Sequence, residues 1–303
     1  MKRMIPSAAL GLLLFLTVSC QDLLFEDRTL CPSFLLTKAV PPIDPKSWEE
    51  LAIDTWEDGG LTGSRTATVY ELNRGFYIEA TKGRFFEAAL LGGWPAEWIS
   101  DGSLLVPEGE PCPDAVGAYY GLEVGTDEIY EKNLTLTSLY ADVFFVVEGA
   151  SSGYAVAIEV RGAVDGYRYP GSGLHYGPYR VPAEPLPNGR RHARIPRQLP
   201  FYAFSRTVGL PEEKEEAVPP GKALEALVAD IFVENREKGT MTSYMTLPLG
   251  TVVTEGGYDW TVPTLEDIRV RIRLFDGSIA SLSVSFAEWS ITLLGDGGGK
   301  YEI

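Results

Sequence analysis

Close to the C-terminus, apolar and polar residues alternate at every second position, and this pattern constrains the fold more than any other feature of the chain. Ile268, Val270, Ile272 and Leu274 alternate with Arg269, Arg271 and Arg273. Asp276-Gly277, a favoured pair for a tight reversing turn, comes next. Leu282, Val284 and Phe286 then alternate with Ser281, Ser283 and Ser285. A period of two sends one set of side chains to a core and the other to solvent, so the segment predicts a β-hairpin. The three arginines are expected on the solvated face; an anion site is the alternative reading.

Much of the remaining chain carries the same signals. Short apolar or alternating runs, bounded by glycine, proline and aspartate, predict strands at Phe76–Thr81, Arg84–Leu91, Tyr140–Glu148, Tyr154–Arg161 and Ile231–Glu234. Helical signals are few. Pro45–Asp54 predicts a short helix or turn, and the charge run within Pro211–Ala226 predicts a solvated loop. Gly162–Arg194 is rich in glycine, proline, tyrosine and arginine. It reads first as a long connection covering a sheet edge. The second reading is a surface binding loop that displays Tyr167, Tyr169, Tyr176 and Tyr179.

A chain of 303 residues suits two domains better than one core. The fold class expected is all-β, with two tandem β-sandwich domains: a leader to residue 30, an N-terminal sandwich over 31–155 and a C-terminal sandwich over 156–303.

The first twenty residues predict export. Lys2 and Arg3 precede an apolar run from Ala8 to Leu16, too short to cross a bilayer as a stable helix. Leu16-Thr17-Val18-Ser19-Cys20 follows and looks like a lipobox, in which the cysteine is acylated and becomes the first mature residue. Residues 1–19 are then a signal peptide and 20–30 a lipidated acidic leader. An acylated Cys20 anchors the chain stably in a membrane. Removing Lys2 and Arg3 takes the charge from 26 − 42 = −16 to 24 − 42 = −18. So acidic a chain disfavours nucleic acid, which needs a positive field.

Two histidines and three cysteines leave little for zinc or histidine chemistry. No nucleophile elbow, zincin motif, phosphate loop or EF-hand loop occurs. No catalytic residue, metal ligand or cofactor site is assigned, and the chain is read as a non-enzyme. Cys31 and Cys112 remain once Cys20 is lipidated; in an oxidising compartment they either pair as a disulfide or stay as buried thiols.

The order of these features resembles a known family. The lipidated cysteine and acidic leader run into Asp27-Arg28-Thr29-Leu30-Cys31-Pro32. Ala118-Tyr119-Tyr120-Gly121 and the strand Leu139–Gly149 follow, and alternating strands near the end lead to Phe286-Ala287-Glu288-Trp289. The whole is similar to the fimbrillin-A-associated anchor proteins of the Bacteroidales, the FimB-like lipoproteins. Ser33 stands where a second cysteine often follows the Cys-Pro pair. The resemblance implies two transthyretin-like β-sandwich domains and an outer-membrane, cell-surface location. It implies a fimbrial (pilin) subunit as partner, bound by strand complementation, with outer-membrane lipid held through Cys20. Only Cys20 carries over as a functional residue. The alternative function is a surface glycan-binding lipoprotein.

Overall fold

A computed structural model describes residues 32–39, 50–125, 129–169, 173–199 and 220–294. The N-terminal part contains β1 (Pro32–Ala39), β2 (Glu50–Glu57), β3 (Gly60–Thr68), α1 (Val69–Arg74), β4 (Phe76–Thr81) and β5 (Phe85–Gly92). It continues through β6 (Ile99–Ser100), β7 (Ser103–Leu105), β8 (Val116–Glu123), β9 (Ile129–Leu134) and β10 (Thr137–Ser138). The C-terminal part contains β11 (Tyr140–Glu148), β12 (Tyr154–Arg168), β13 (Leu174–Pro182), β14 (Glu184–Pro185) and β15 (Arg190–Pro196). After α2 (Pro220–Ala226) come β16 (Val228–Asn235), β17 (Thr240–Leu247), α3 (Leu249–Glu255), β18 (Ile268–Phe275), β19 (Ser278–Phe286) and β20 (Trp289–Leu294).

Among the described residues the strands form four sheets around two cores. A three-stranded sheet, ordered β4-β1-β9, faces a five-stranded sheet, ordered β10-β8-β5-β2-β3. Leu51, Ile53, Phe86, Ala88, Tyr120 and Leu122 from the larger sheet meet Ile78 and Ala80 from the smaller in one core. The second core lies between a six-stranded sheet, β14-β15-β11-β18-β19-β20, and the sheet β17-β16-β12-β7-β6. β12 is long enough to pair with β16 and then β7 along one edge, while β13 covers the other. Sheets stacked in this way bury alternate residues of each strand, which is what period-two sequences supply.

The C-terminal hairpin forms as its alternation predicts. β18 and β19 pair antiparallel with Val270 opposite Val284 and Arg271 opposite Ser283. Ile268, Val270, Ile272 and Leu274 are buried, and the arginines between them face solvent. Asp276 and Gly277 both take positive φ, 47° and 74°, as a two-residue reversing turn requires. A side chain at Gly277 would also place its Cβ 2.2 Å from the Tyr154 ring.

Several expectations change. The helix expected at Pro45–Asp54 is β2 from Glu50 onward; residues 45–49 lie outside the described residues. Leu51 and Ile53 alternate with Ala52 and Asp54, and that alternation outweighs the local helical signal. The charge run within Pro211–Ala226 lies outside the described residues; beyond it residues 220–226 form α2, with Ala223 and Leu224 buried in the second core. The long connection expected over Gly162–Arg194 is instead largely strand: β12 runs to Arg168, and β13 and β15 follow. The cores also do not divide at residue 155. Leu91, Trp94, Leu104, Val106 and Cys112 belong to the second core, as do Ala141, Val143 and Phe145 of β11. The chain enters the second core, returns to pair β8 with β5, and then enters it again.

Candidate functional site

The four tyrosines of the expected binding loop do not form one exposed platform. Tyr167 is completely buried; its hydroxyl donates to the Leu139 carbonyl and reaches that of Arg197 at 3.3 Å. Its ring meets Trp94 edge-on at 6.0 Å. Tyr179 is also buried and donates to the Arg194 carbonyl at 3.0 Å. Burial pushes both phenols well above their ordinary pKa. Tyr169 donates to Asp54 and sets its ring edge-on to Trp56 at 5.8 Å, and Tyr176 packs against the second core. The glycines here serve close approach rather than loop freedom. A Cβ at Gly166 would lie 1.9 Å from the Leu104 carbonyl oxygen, and one at Gly177 would lie 2.0 Å from the Asp165 carboxylate.

Cys112 is buried and forms no disulfide among the described residues. Its Sγ lies 3.7 Å from the Leu139 carbonyl oxygen, and burial pushes the thiol pKa up. Cys20 and Cys31 lie outside the described residues.

Both histidines form pairs with aspartates. His175 Nδ1 lies 2.6 Å from Asp165, and His192 Nε2 lies 2.6 Å from Asp142. Arg194, directly opposite Asp142 in the β11–β15 ladder, donates to the same carboxylate at 2.9 Å and covers the Tyr140 ring at 4.3 Å. Burial pushes the Asp142 carboxyl up, but hydrogen bonds from His192 and Arg194 outweigh that and hold it below its ordinary range. This is a cross-strand clamp, to which Asp114 adds a second carboxylate 3.9 Å from Arg194; no serine, threonine or cysteine is hydrogen-bonded to either histidine among the described contacts. Among the described residues no group of three histidine, cysteine or acidic side chains could hold a metal ion.

The N-terminal sandwich has an open seam between its two sheets. β3 is the edge of the five-stranded sheet and β4 the edge of the three-stranded one. Between them lies a groove of about 490 Å³ whose lining includes Ile53, Ile78, Ala80, Thr55, Ser64 and Glu79. Two side chains bridge it. Arg65 Nη2 donates to the Tyr77 carbonyl at 2.7 Å, and the Thr81 amide donates to Glu57 at 2.6 Å. These bonds occupy main-chain groups that a neighbouring strand would otherwise take. Bridging charged groups of this kind blunt a sheet edge. Leu61 and Tyr77 stand exposed beside the seam, 63% and 58% accessible.

Sequence reasoning did not locate this seam. The available signal was the composition of β3, Gly-Leu-Thr-Gly-Ser-Arg-Thr-Ala-Thr, which is small, polar and weakly apolar as an edge strand tends to be. Thr68 then caps α1 in a capping box with Glu71, so the chain turns from one sheet to the other at a fixed point.

No described protein family and no curated protein matches the sequence. Solved structures do match over most of the chain. One is a candidate adhesin from Bacteroides ovatus, with TM-score 0.54 and 10% identity, covering 88% of this chain and 96% of that one. Another is a candidate polysaccharide-binding protein from Bacteroides thetaiotaomicron, with TM-score 0.52 and 8% identity over 86% of this chain and 98% of that one. A third is the fimbrial anchor protein Mfa2 from Porphyromonas gingivalis, with TM-score 0.51 and 11% identity over 86% of this chain and 99% of that one. At such identities the likeness is one of fold, and this chain has the β-rich, multi-sheet fold that a fimbrial anchor and these adhesin-like proteins share.

Proposed function

We propose that the protein is a lipid-anchored accessory or anchor subunit of a bacterial fimbrium. In this reading acylated Cys20 holds it in the outer membrane at the cell surface. A fimbrial subunit is attached through β-strand contacts, and no turnover is involved. The observation that carries the reading is the shared fold with a fimbrial anchor over nearly all of that protein's length. Two properties of the chain agree with it. Its N-terminus reads as a lipoprotein signal, which supplies an anchor without a spanning segment. No helix among the described residues is long and apolar enough to cross a membrane. The sandwich edges offer a means of attachment, since an added strand gains main-chain hydrogen bonds along an edge and register from alternate side-chain positions.

The test is crosslinking in intact cells, followed by detergent extraction, pull-down on this chain and mass spectrometry. A β-rich fimbrial subunit should be recovered from wild type and lost from Cys20→Ser, which leaves the outer-membrane fraction. Recovery of glycan-uptake components alone, with no fimbrial subunit at any crosslinker length, would reject the reading.

A further inference from the structure

The outward face of the sheet containing β12, β13, β16 and β17 carries an exposed yet immobilised aromatic ring. Tyr244 on β17 is 50% accessible. Its ring packs on Phe232 of β16, directly opposite in the ladder, at 5.1 Å and a tilt of 32°. Its hydroxyl donates to Asp230 at 2.9 Å and lies 2.7 Å from Thr246 Oγ1. Asp230 is itself buried and accepts from Thr246 at 2.6 Å and from Arg161 Nε at 2.6 Å. A half-exposed tyrosine with both its ring and its hydroxyl fixed has lost its side-chain entropy before anything binds, which is what preorganisation of a contact surface means.

The registers place the neighbours of this ring. Across β16, Phe232 faces Ala157 of β12, and Ala157 is exposed. The small side chain leaves a shallow trough alongside the aromatic pair. Two residues along β12, Glu159 sits opposite Asp230 and forms an ion pair with Arg180 at 2.6 Å. Two residues further, Arg161 sits opposite Arg180 of β13. There the trough meets an open cavity of about 520 Å³ whose lining includes Arg161, Arg180, Glu108, Glu225 and Val228. From Ala157 to Arg161 the run is about 13 Å, at roughly 3.3 Å per residue.

We propose that this trough is a binding site for an uncharged oligosaccharide. The aromatic faces offer an apolar surface for the C–H face of a pyranose ring. Beyond it, guanidinium donors and carboxylate acceptors are interleaved, Arg161 with Asp230 and Arg180 with Glu159. A sugar hydroxyl is both donor and acceptor and complements such pairs. The carboxylates of the trough and cavity compensate both arginines, so no surplus positive charge remains to select an anion. An open, elongated site suits a stretch of polymer rather than an enclosed small molecule. The site lies apart from the β3–β4 seam and does not rest on the fimbrial reading.

The test is affinity electrophoresis of the full chain through native gels containing dextran, mannan or laminarin, with heparin as the charged comparison. At least one neutral polysaccharide should retard the wild type. Tyr244→Ala and Ala157→Gln should each weaken retardation by about tenfold or more, equivalent to about 1.4 kcal/mol. Tyr244→Phe keeps the ring and should retain most of it. Thermal melts establish that each variant is folded, and Ala157→Gln is an exposed change that leaves the Asp230 network intact. No retardation by any of the three neutral polymers, unchanged retardation in both Tyr244→Ala and Ala157→Gln, or retardation by heparin alone would each overturn the proposal. These substitutions should leave capture of a fimbrial subunit unchanged, so the two readings fail separately.

Discussion

Arg197 is the most heavily constrained charged side chain among the described residues. It is 1% accessible and faces main-chain carbonyls rather than a carboxylate: Val262 at 2.8 Å, Ser138 at 3.3 Å, and Trp260. Burial pulls its pKa down, yet a guanidinium keeps its proton in proteins. Its role is to satisfy three carbonyls on two separated segments. Arg197→Met fills the volume but leaves those acceptors dry, and should cost about 3 kcal/mol in urea unfolding. Arg197→Lys, which restores a donor, should cost less. Cys112 gives a second residue-scale expectation. In a Cys20→Ser, Cys31→Ser background, its protonated, buried thiol should be silent to an aromatic disulfide reagent in the native state and react on unfolding.

Among the described carboxylates with lowered pKa, Asp142 and Asp230 are the two that are substantially buried, and they should contribute to the acid limit of stability. For Asp142 and for Asp230, burial raises the pKa, but stronger hydrogen bonding lowers it overall: from His192 and Arg194 in the first case, and from Arg161, Thr246 and Tyr244 in the second. A folded-state pKa below the unfolded value means that each stabilises the fold above the ordinary carboxylate range, near pH 4. The contribution is lost as pH falls through the lowered value. The urea midpoint should therefore drop between pH 5 and pH 2, about the span over which such groups titrate. That drop should be smaller in Asp230→Asn, whose starting stability is already reduced. An acid limb identical to wild type would show that Asp230 carries none of it.

At the scale of elements, the seam between β3 and β4 depends on side chains that stand in for a strand. Arg65→Ala removes the donor that occupies the Tyr77 carbonyl. The exposed edge should then self-associate, and sedimentation velocity should show a concentration-dependent species absent from wild type. A strictly monomeric Arg65→Ala at all concentrations would mean that the bridge does not protect the edge. The sequence made some elements legible and concealed others for a common reason. β18 and β19 have one solvated face, so their alternation is written directly into the chain. The stretch from Gly162 to Arg194 does not alternate cleanly, because β12 is bulged after Gly162 and again after Val164. Bulges re-aim side chains and break the period. Tyr167 and Tyr179 therefore read as loop residues although both are core. The seam stayed hidden because it joins β3 and β4, edges of two different sheets whose relation is set by partners far along the chain.

Over the whole molecule, the question is whether two cores behave as one cooperative unit. Their boundary is not a linker. Leu91 near the end of β5 and Trp94 just beyond the strand reach into the second core, while Phe86, Ala88 and Leu90 of β5 line the first. Tyr169, just past the end of β12, reaches the other way: its hydroxyl donates to Asp54 and its ring meets Trp56, both on β2. Ile53 and Leu51 of that strand face the first core, so Asp54 and Trp56 present the opposite side of the same sheet to Tyr169. Burial and the Asp54 hydrogen bond push the Tyr169 phenol well up, which keeps it a donor throughout the accessible pH range. A polar contact between part-buried groups, with an edge-on aromatic pair beside it, is worth about 1–3 kcal/mol of coupling. Wild type should accordingly unfold in one calorimetric transition. Tyr169→Ala should separate it into two, with the second core, which is the larger, melting at the higher temperature. Tyr169→Phe keeps the ring contact and should broaden the transition without resolving it. If Tyr169→Ala still melts in a single transition of unchanged width, the coupling runs instead through Leu91 and Trp94, and Trp94→Ala should then produce the split.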